Sequence, residues 1–172
     1  MTTHTAHPVH TVHPSPLGDL LLTGTVTPAG LALTSLSLPG QRGTPAVRPE
    51  DRDDRPFTEA IRQLDAYFAG RLTRFDLPFS PAGNAFRHAV WQALDEVPYG
   101  RTTTYGELAA RLGLSRAEVR SVGQALGANP LLLVRPCHRV IGADGSLRGY
   151  AGGLEKKRWL LTHEGALQPT LL

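Results

Sequence analysis

The sequence predicts a mixed α/β (α+β) protein, in which a small N-terminal sheet-plus-helix domain precedes a mostly helical C-terminal domain with a helix-turn-helix. Three observations lead to this prediction. Two apolar segments, residues 17–26 and 31–38, are typical of β-strands, and in the second one apolar residues alternate with small polar residues. The later half instead carries helix-capping signals and helical apolar spacing. Between the halves, Ser80-Pro81-Ala82-Gly83 has the composition of a linker and divides the chain into residues 1–80 and 81–172.

A hairpin and one helix are predicted in the N-terminal domain. Strands over residues 17–26 and 31–38 are joined by Thr27-Pro28-Ala29-Gly30, whose Pro and Gly suit a tight turn, and a strand near residues 9–12 extends the sheet. A helix is predicted over residues 57–69. Its apolar face comprises Phe57, Ile61, Leu64 and Phe68. This domain shows no chemistry of its own, so we interpret it as a scaffold.

Four histidines recur every third residue near the N-terminus, at His4, His7, His10 and His13. Regularly spaced histidines can bind metal ions. Prolines 8 and 14 break the helix that would align them. The expectation is therefore a solvated or partly extended tail with no specific metal.

The C-terminal domain begins with a helix that Asn84 caps and that runs to about Glu96. Two capping boxes follow, with Thr104 and Ser115 each three residues before a Glu. Two short helices joined by a tight turn form a helix-turn-helix, and the second helix, residues 116–126, is the candidate recognition helix. The pattern alone fits a plain helical hairpin equally well.

The only cysteine, Cys137, follows an apolar run over residues 131–134 that is typical of a short buried strand or core segment. Arg135, His138 and Arg139 flank the cysteine. Positive charge lowers the pKa of a thiol, so these neighbours predict a reactive thiolate. The alternative is a buried structural cysteine, which is common among lone cysteines.

Composition excludes some classes of protein. One cysteine cannot form an intrachain disulfide, no apolar run approaches the length of a membrane span, and the N-terminus lacks the apolar core of a signal peptide. A cytoplasmic protein without membrane contact is expected.

The two halves of the chain differ in charge. Residues 1–80 carry 7 Arg and Lys against 8 Asp and Glu, whereas residues 81–172 carry 11 against 7. The basic half holds the cysteine, which favours a polyanionic partner such as nucleic acid.

Pro136-Cys137-His138-Arg139-Val140-Ile141 resembles the acceptor motif of the O6-alkylguanine-DNA alkyltransferases, which take an alkyl group from damaged guanine onto their own cysteine. The resemblance extends from about Phe86 to Glu164. It includes Val97-Pro98-Tyr99-Gly100, Thr104-Tyr105-Gly106-Glu107-Leu108-Ala109, Arg120-Ser121-Val122-Gly123, Gly127-Ala128-Asn129-Pro130, Gly149-Tyr150-Ala151-Gly152-Gly153 and Leu160-Leu161-Thr162-His163-Glu164.

This resemblance implies DNA repair by direct reversal. An alkyl group would move irreversibly from O6 of guanine, or O4 of thymine, to Cys137 in a single turnover. The partner would be double-stranded DNA bound through its minor groove. The resemblance further implies a monomer that needs no cofactor and no metal.

Roles in catalysis follow from the same resemblance. Cys137 would be the nucleophile, His138 its base through a water molecule, and Glu164 the group that orients and charges the histidine. Asn129 would tie the turn to the cysteine motif. Tyr105 would donate a hydrogen bond to guanine N3 and stabilise the leaving base.

The remaining predicted site residues concern DNA and the pocket. Arg120 would be the finger that replaces the flipped base. The predicted DNA contacts are Arg120, Ser121, Gly123, Ala125 and Arg139. The predicted pocket comprises Tyr105, Val140, Tyr150, Ala151 and Gly152, with residues 150–153 forming a lid over the alkyl group. Two departures from the family pattern are a segment from Tyr105 to Arg120 that is one residue longer, and Ala151 where many relatives have Ser.

Other interpretations remain open at this point. A non-catalytic sensor of alkylated guanine would lack the acceptor cysteine. A helix-turn-helix regulator would use Cys137 as a redox sensor. A cysteine hydrolase would need an oxyanion hole, for which no motif is present. Without the resemblance, the sequence favours a solvated helix-end carboxylate for Glu164, because nothing local ties it to Cys137. Arg120 could also be a phosphate contact or a surface residue.

Overall fold

The computed structural model describes residues 5–168. The chain divides into two compact units, Met1–Ala82 and Gly83–Leu172, and the division falls within the Ser80–Gly83 stretch. No helix in residues 5–168 is both long and apolar enough to cross a bilayer.

The first unit is built on a three-stranded antiparallel meander. Its strands are β1 (His7–His13), β2 (Leu20–Thr27) and β3 (Gly30–Ser37), in the spatial order β1-β2-β3. The predicted hairpin and the predicted extra strand are both present. The register of β2 against β3 shifts between Thr23 and Gly24. A Cβ at Gly24 would lie 2.9 Å from the carbonyl oxygen of Ala32, so the close approach of β3 requires glycine there.

The expectation of a solvated or partly extended tail holds only for its extended part, because His7–His13 form β1 and are paired with β2. His10 is buried, and His13 Nε2 lies 2.7 Å from Asp65 Oδ1. Pro8 does not prevent the strand, since β1 is an edge strand on which a missing N–H is tolerated. His4 lies outside the described residues. Within residues 5–168 no group of three or more His, Cys, Asp and Glu side chains is arranged to hold a metal ion.

One helix, α1 (Thr58–Phe68), follows a short 3-10 turn at Arg55–Phe57. Its buried residues are Ala60, Gln63, Leu64 and Tyr67, so the buried face is rotated from the predicted one, although Phe57 and Leu64 are core residues as expected. Gln63 is the polar residue on this buried face. Its side chain bonds both the N–H and the C=O of Asp76 at 2.9 Å, and it fastens the extended segment that follows the helix.

Over its described residues, 83–168, the second unit contains four α-helices and a two-stranded parallel sheet. The helices are α2 (Ala85–Leu94), α3 (Tyr105–Arg111), α4 (Val119–Gly127) and α5 (Leu154–His163), and the strands are β4 (Thr103–Thr104) and β5 (Val140–Ile141). The Asn84 side chain accepts a hydrogen bond from the Arg87 N–H, which confirms the predicted cap. Both predicted capping boxes are formed. The Ser115 box caps a 3-10 turn over Arg116–Glu118, so α4 begins three residues later than predicted.

The apolar run before the cysteine is a buried turn rather than a strand. Leu131 and Leu132 are fully buried, and Leu133 has φ 69°, a left-handed conformation that a strand does not contain. The side chain of Asn129 satisfies backbone groups of this turn that strand pairing would satisfy in a sheet. Its Oδ1 accepts from the Leu131 N–H at 3.0 Å, and its Nδ2 donates to the Arg135 carbonyl at 3.1 Å. The chain therefore reverses here and delivers the cysteine to the interior.

Candidate active site

Cys137 opens a single 3-10 turn, Cys137–Arg139, and only 7% of the residue is exposed. It lies in the wall of a pocket of about 240 Å³. The residues that line this pocket are Tyr105, Gly123, Leu126, Gly127, Cys137, Gly149, Tyr150 and Ala151. Four of the eight carry no side chain or only a methyl group around the thiol. These small residues leave room for a planar ligand to approach the sulfur.

The thiol is not the thiolate that its neighbours in sequence predicted. Burial raises the pKa of Cys137 to about 11, and a hydrogen bond from Asn129 and the charge of Lys157 only partly oppose that effect. The two flanking arginines are paired with carboxylates and do not bond the thiol: Arg135 donates to Asp95 at 3.2 Å, and Arg139 donates to Glu164. At neutral pH the resting cysteine is protonated, so its proton has to be removed during the reaction.

A buried base lies next to the thiol in the chain. His138 Nε2 is 2.7 Å from Glu164 Oε2, and both side chains are inaccessible to solvent. Burial alone would raise the pKa of Glu164, but hydrogen bonds from His138 and Arg139, together with the charge of Arg139, hold it at about 2. An ionised carboxylate only accepts, so Nε2 must carry the ring proton. Burial also lowers the pKa of His138, which keeps the ring neutral and leaves Nδ1 with a basic lone pair. Nδ1 has no hydrogen-bond partner within residues 5–168.

Arg139 was predicted to contact DNA, but its side chain is buried inside the protein. Its Nε donates to Glu164 Oε1 at 2.7 Å, and its Nη1 donates to the Val97 carbonyl at 2.7 Å. The guanidinium thus uses its donors inside the protein, where it holds the carboxylate that orients His138. The sequence-based assignment to DNA contact failed because a charged residue beside a reactive cysteine gives no indication of which way it points.

Tyr105 and Tyr150 border the pocket. The Tyr105 hydroxyl donates to the Arg148 carbonyl at 3.0 Å, and burial raises the pKa of this tyrosine. The ring of Tyr150 contacts that of His138 edge to face, with 6.5 Å between ring centroids. The Tyr150 hydroxyl is buried and has no hydrogen-bond partner within the described part of the chain. Both hydroxyls are suitable donors to a base held in the pocket.

The residues that line the pocket differ from those predicted. Val140 is fully buried in the core and does not line it, and neither does Gly152. Leu126, Gly127 and Gly149 do line it, although they were not predicted to. Gly127 and Gly149 both lie in segments that carry the family resemblance, which was the available signal.

The predicted DNA-contact residues on α4 divide into two groups. Arg120 and Ser121 are exposed. Ala125 is buried and cannot meet DNA, since its carbonyl accepts a hydrogen bond from the Trp91 indole at 2.9 Å. Gly123 lines the pocket, where an added Cβ would lie 3.9 Å from the Tyr105 ring. The small residues of α4 therefore serve internal packing and the pocket as well as the exposed face.

Sequence reasoning missed Lys157, which is completely buried. Its Nζ donates to the carbonyls of Val140, Arg148 and Gly149 at 2.6, 2.6 and 3.1 Å. In the sequence it lies within a charged run, Glu155-Lys156-Lys157-Arg158, that looks like a solvated surface. A signal was present in the spacing, because Lys157 precedes the buried Leu160, Leu161 and Glu164 by three, four and seven residues.

Comparison with known proteins supports the family resemblance found in the sequence. Two family models match the chain: 6-O-methylguanine DNA methyltransferase, ribonuclease-like domain, over residues 9–81, and 6-O-methylguanine DNA methyltransferase, DNA binding domain, over residues 85–166. A methylated-DNA–protein-cysteine methyltransferase from Methanosarcina acetivorans is 43% identical over 160 residues, which are 91% of this chain and 98% of that protein. One from Mycolicibacterium paratuberculosis is 44% identical over 158 residues, 92% of this chain and 93% of that protein.

Solved structures agree with this assignment. The crystal structure of Mycobacterium tuberculosis OGT in complex with DNA is 42% identical with a TM-score of 0.82, and the match covers 91% of this chain and 92% of that one. The predicted fold class is confirmed by this match. The resemblance drawn from the motif around Cys137 is confirmed as well: the chain belongs to the 6-O-methylguanine DNA methyltransferase family.

Proposed function

We propose that Cys137 is the residue that accepts the alkyl group in this chain, which is a DNA-binding methylated-DNA–protein-cysteine methyltransferase that acts in DNA repair. The substrate is double-stranded DNA that carries O6-alkylguanine, or by the same chemistry O4-alkylthymine. The observation that supports this proposal most strongly is a buried thiol in a pocket beside a buried, carboxylate-oriented histidine.

The arrangement supports the following reaction. The Cys137 proton passes through a water molecule to Nδ1 of His138, and the sulfur attacks the alkyl carbon. The S–C bond forms as the C–O6 bond breaks, and the electron pair of that bond stays with guanine. Tyr105 donates to N3 of the departing base, which takes up the released proton overall. The product is a thioether, which has no easy leaving group, so each protein molecule reacts once.

Access to the pocket requires a flipped base, because the O6 atom is enclosed within a duplex. We propose that α4 lies in the minor groove and that Arg120 fills the gap left by the base. Residues 81–172 would carry DNA binding and catalysis, with residues 1–80 as a scaffold. A reduced thiol and a reaction that needs no second copy favour a cytoplasmic monomer.

Intact mass spectrometry tests the function. The protein is incubated with a duplex that contains one O6-methylguanine, or with the same duplex containing guanine. We expect a stoichiometric gain of one methylene group with the first duplex only. Selective binding of the methylated duplex without any gain in mass would identify a damage sensor. Loss of ordinary duplex affinity after peroxide treatment, again without methyl uptake, would identify a redox regulator.

Arg120→Ala tests the finger. We expect the transfer rate at saturating duplex to fall roughly 10- to 100-fold, because unstacking a base costs a few kcal/mol that the inserted side chain offsets. Arg116→Ala, which removes an exposed arginine from the adjacent turn, should weaken binding without changing this rate. On a single-stranded oligonucleotide with the same base, Arg120→Ala should react like wild type. Equal losses on both substrates would contradict the role.

A further inference from the structure

The reaction described above makes no use of Lys157, although this lysine is completely buried. A lysine is seldom fully buried unless its ammonium is paired or hydrogen-bonded. Here the partners are three backbone carbonyl oxygens within 3.1 Å, one for each N–H of the ammonium. Three converging carbonyl oxygens need a charged donor between them. The lysine is therefore required for its ammonium group and not only for its volume.

The three carbonyls belong to the two ends of one loop. Val140 directly follows the Cys137–Arg139 turn, and Arg148 and Gly149 lie immediately before the pocket residues Tyr150 and Ala151. Between these ends the chain makes a tight turn in which the Gly142 N–H donates to the Ser146 carbonyl at 2.8 Å. One ammonium therefore fixes the lid edge of the pocket relative to the segment that carries the cysteine.

The Arg148 carbonyl has a second donor. The Tyr105 hydroxyl donates to it at 3.0 Å, and the Lys157 ammonium donates to it at 2.6 Å. Both acceptor positions of this oxygen are used. Tyr105 is thus oriented by an atom whose own place Lys157 determines. When a base enters and the Tyr105 hydroxyl turns towards it, the carbonyl keeps its bond to Lys157 and is not left unsatisfied.

We propose that Lys157 is a positioning residue for alkyl transfer, which acts through the Arg148 carbonyl to hold the Tyr105 hydroxyl and the lid edge in the geometry that the reaction uses. This inference rests on the proposed function, since it assigns Tyr105 to the departing base. It concerns no residue that touches the alkyl group itself.

The test is a double-mutant cycle on the complete chain with Lys157→Met, Tyr105→Phe and their combination. Single-turnover rates are measured at saturating O6-methylguanine duplex and normalised to the final methylated fraction, so that unfolded protein alters the extent but not the rate constant. We expect Lys157→Met to lower the rate about 10- to 100-fold, the scale of a displacement near 1 Å at a reacting centre. The dissociation constant for the duplex should change less than about twofold. The double mutant should be within about threefold of Tyr105→Phe, because the two residues act as one unit.

Lys156→Met is the matched control, because it removes the same charge from the neighbouring position of α5 outside the core. Its rate should equal that of wild type. Losses that multiply in the double mutant would overturn the proposal and indicate that Lys157 acts by its charge on the thiol. A wild-type rate in Lys157→Met would overturn it directly.

If Lys157→Met does not fold, as judged by its thermal transition, Lys157→Gln is measured in its place, and the same two outcomes decide. Failure of the proposed function is distinguishable, because the wild type would then take up no methyl group in the same assay.

Discussion

Cys137→Ala is expected to abolish alkyl uptake completely while leaving the fold and binding of the methylated duplex intact. Cys137 is the only cysteine in the chain, so no second thiol can accept the group. Replacing a sulfur by hydrogen in a pocket wall removes few contacts. Asn129 loses its bond to the thiol but keeps its bonds to the Leu131 N–H and the Arg135 carbonyl, which hold the preceding turn. Intact mass after incubation with the O6-methylguanine duplex measures uptake, and a gel-shift titration measures binding.

Methylated Cys137→Ala protein would overturn the assignment of the acceptor. Loss of duplex binding together with a lowered thermal transition would instead show that the residue supports the fold. Retained, selective binding would make the variant useful in its own right, because it holds the substrate without reacting. The redox-regulator hypothesis is already weakened by the site itself, since redox-sensing thiols are exposed and have a lowered pKa, whereas Cys137 is buried with a raised one.

Glu164→Gln is expected to slow transfer by roughly 100-fold or more, the scale of losing an effective general base. An amide can donate to His138 Nε2, which places the ring proton on Nδ1 and removes the lone pair that receives the thiol proton. The measurement is the single-turnover rate at saturating duplex, normalised to the final methylated fraction. Glu155→Gln is the control, because it makes the same chemical change in the exposed first turn of α5. Transfer at the wild-type rate in Glu164→Gln would contradict the role of the carboxylate.

The same substitution should also lower stability, by about 3 to 5 kcal/mol, since it leaves the buried Arg139 guanidinium without its countercharge. The pKa of Glu164 is about 2 in the folded protein against an ordinary value of 4.5, so the ionised form stabilises the fold above pH 4.5. That stabilisation is lost as the pH falls through about 2. Chemical denaturation should therefore show wild type and Glu164→Gln converging in stability between pH 4.5 and 2. A constant difference across this range would contradict the buried ion pair.

Local signals in the sequence were reliable wherever the deciding interaction is short-range. Asn84, Thr104 and Ser115 were each identified as helix caps from residues within three positions of themselves, and each bonds as predicted. The hairpin of β2 and β3 was predictable for the same reason, because a short turn joins the two strands. The prolines correctly excluded a helix over the spaced histidines, and a strand near residues 9–12 was predicted. The sequence did not indicate that this strand would begin at His7 and bury His10, because both depend on pairing with β2.

By itself, the sequence determined the family, the fold class, the division into two halves, and the identity of the one thiol that can accept an alkyl group. Only the tertiary structure determined the protonation state of that thiol and the groups that surround it. The burial that raises the pKa of Cys137, the turn of Arg139 towards Glu164, and the three carbonyls around Lys157 depend on groups 8 to 42 residues apart in the chain. Charged residues that are neighbours in a sequence reveal neither where their side chains point nor how deeply they are buried. Those two properties arise when distant segments pack together, and they determine whether a cation activates the nucleophile or holds the pocket around it.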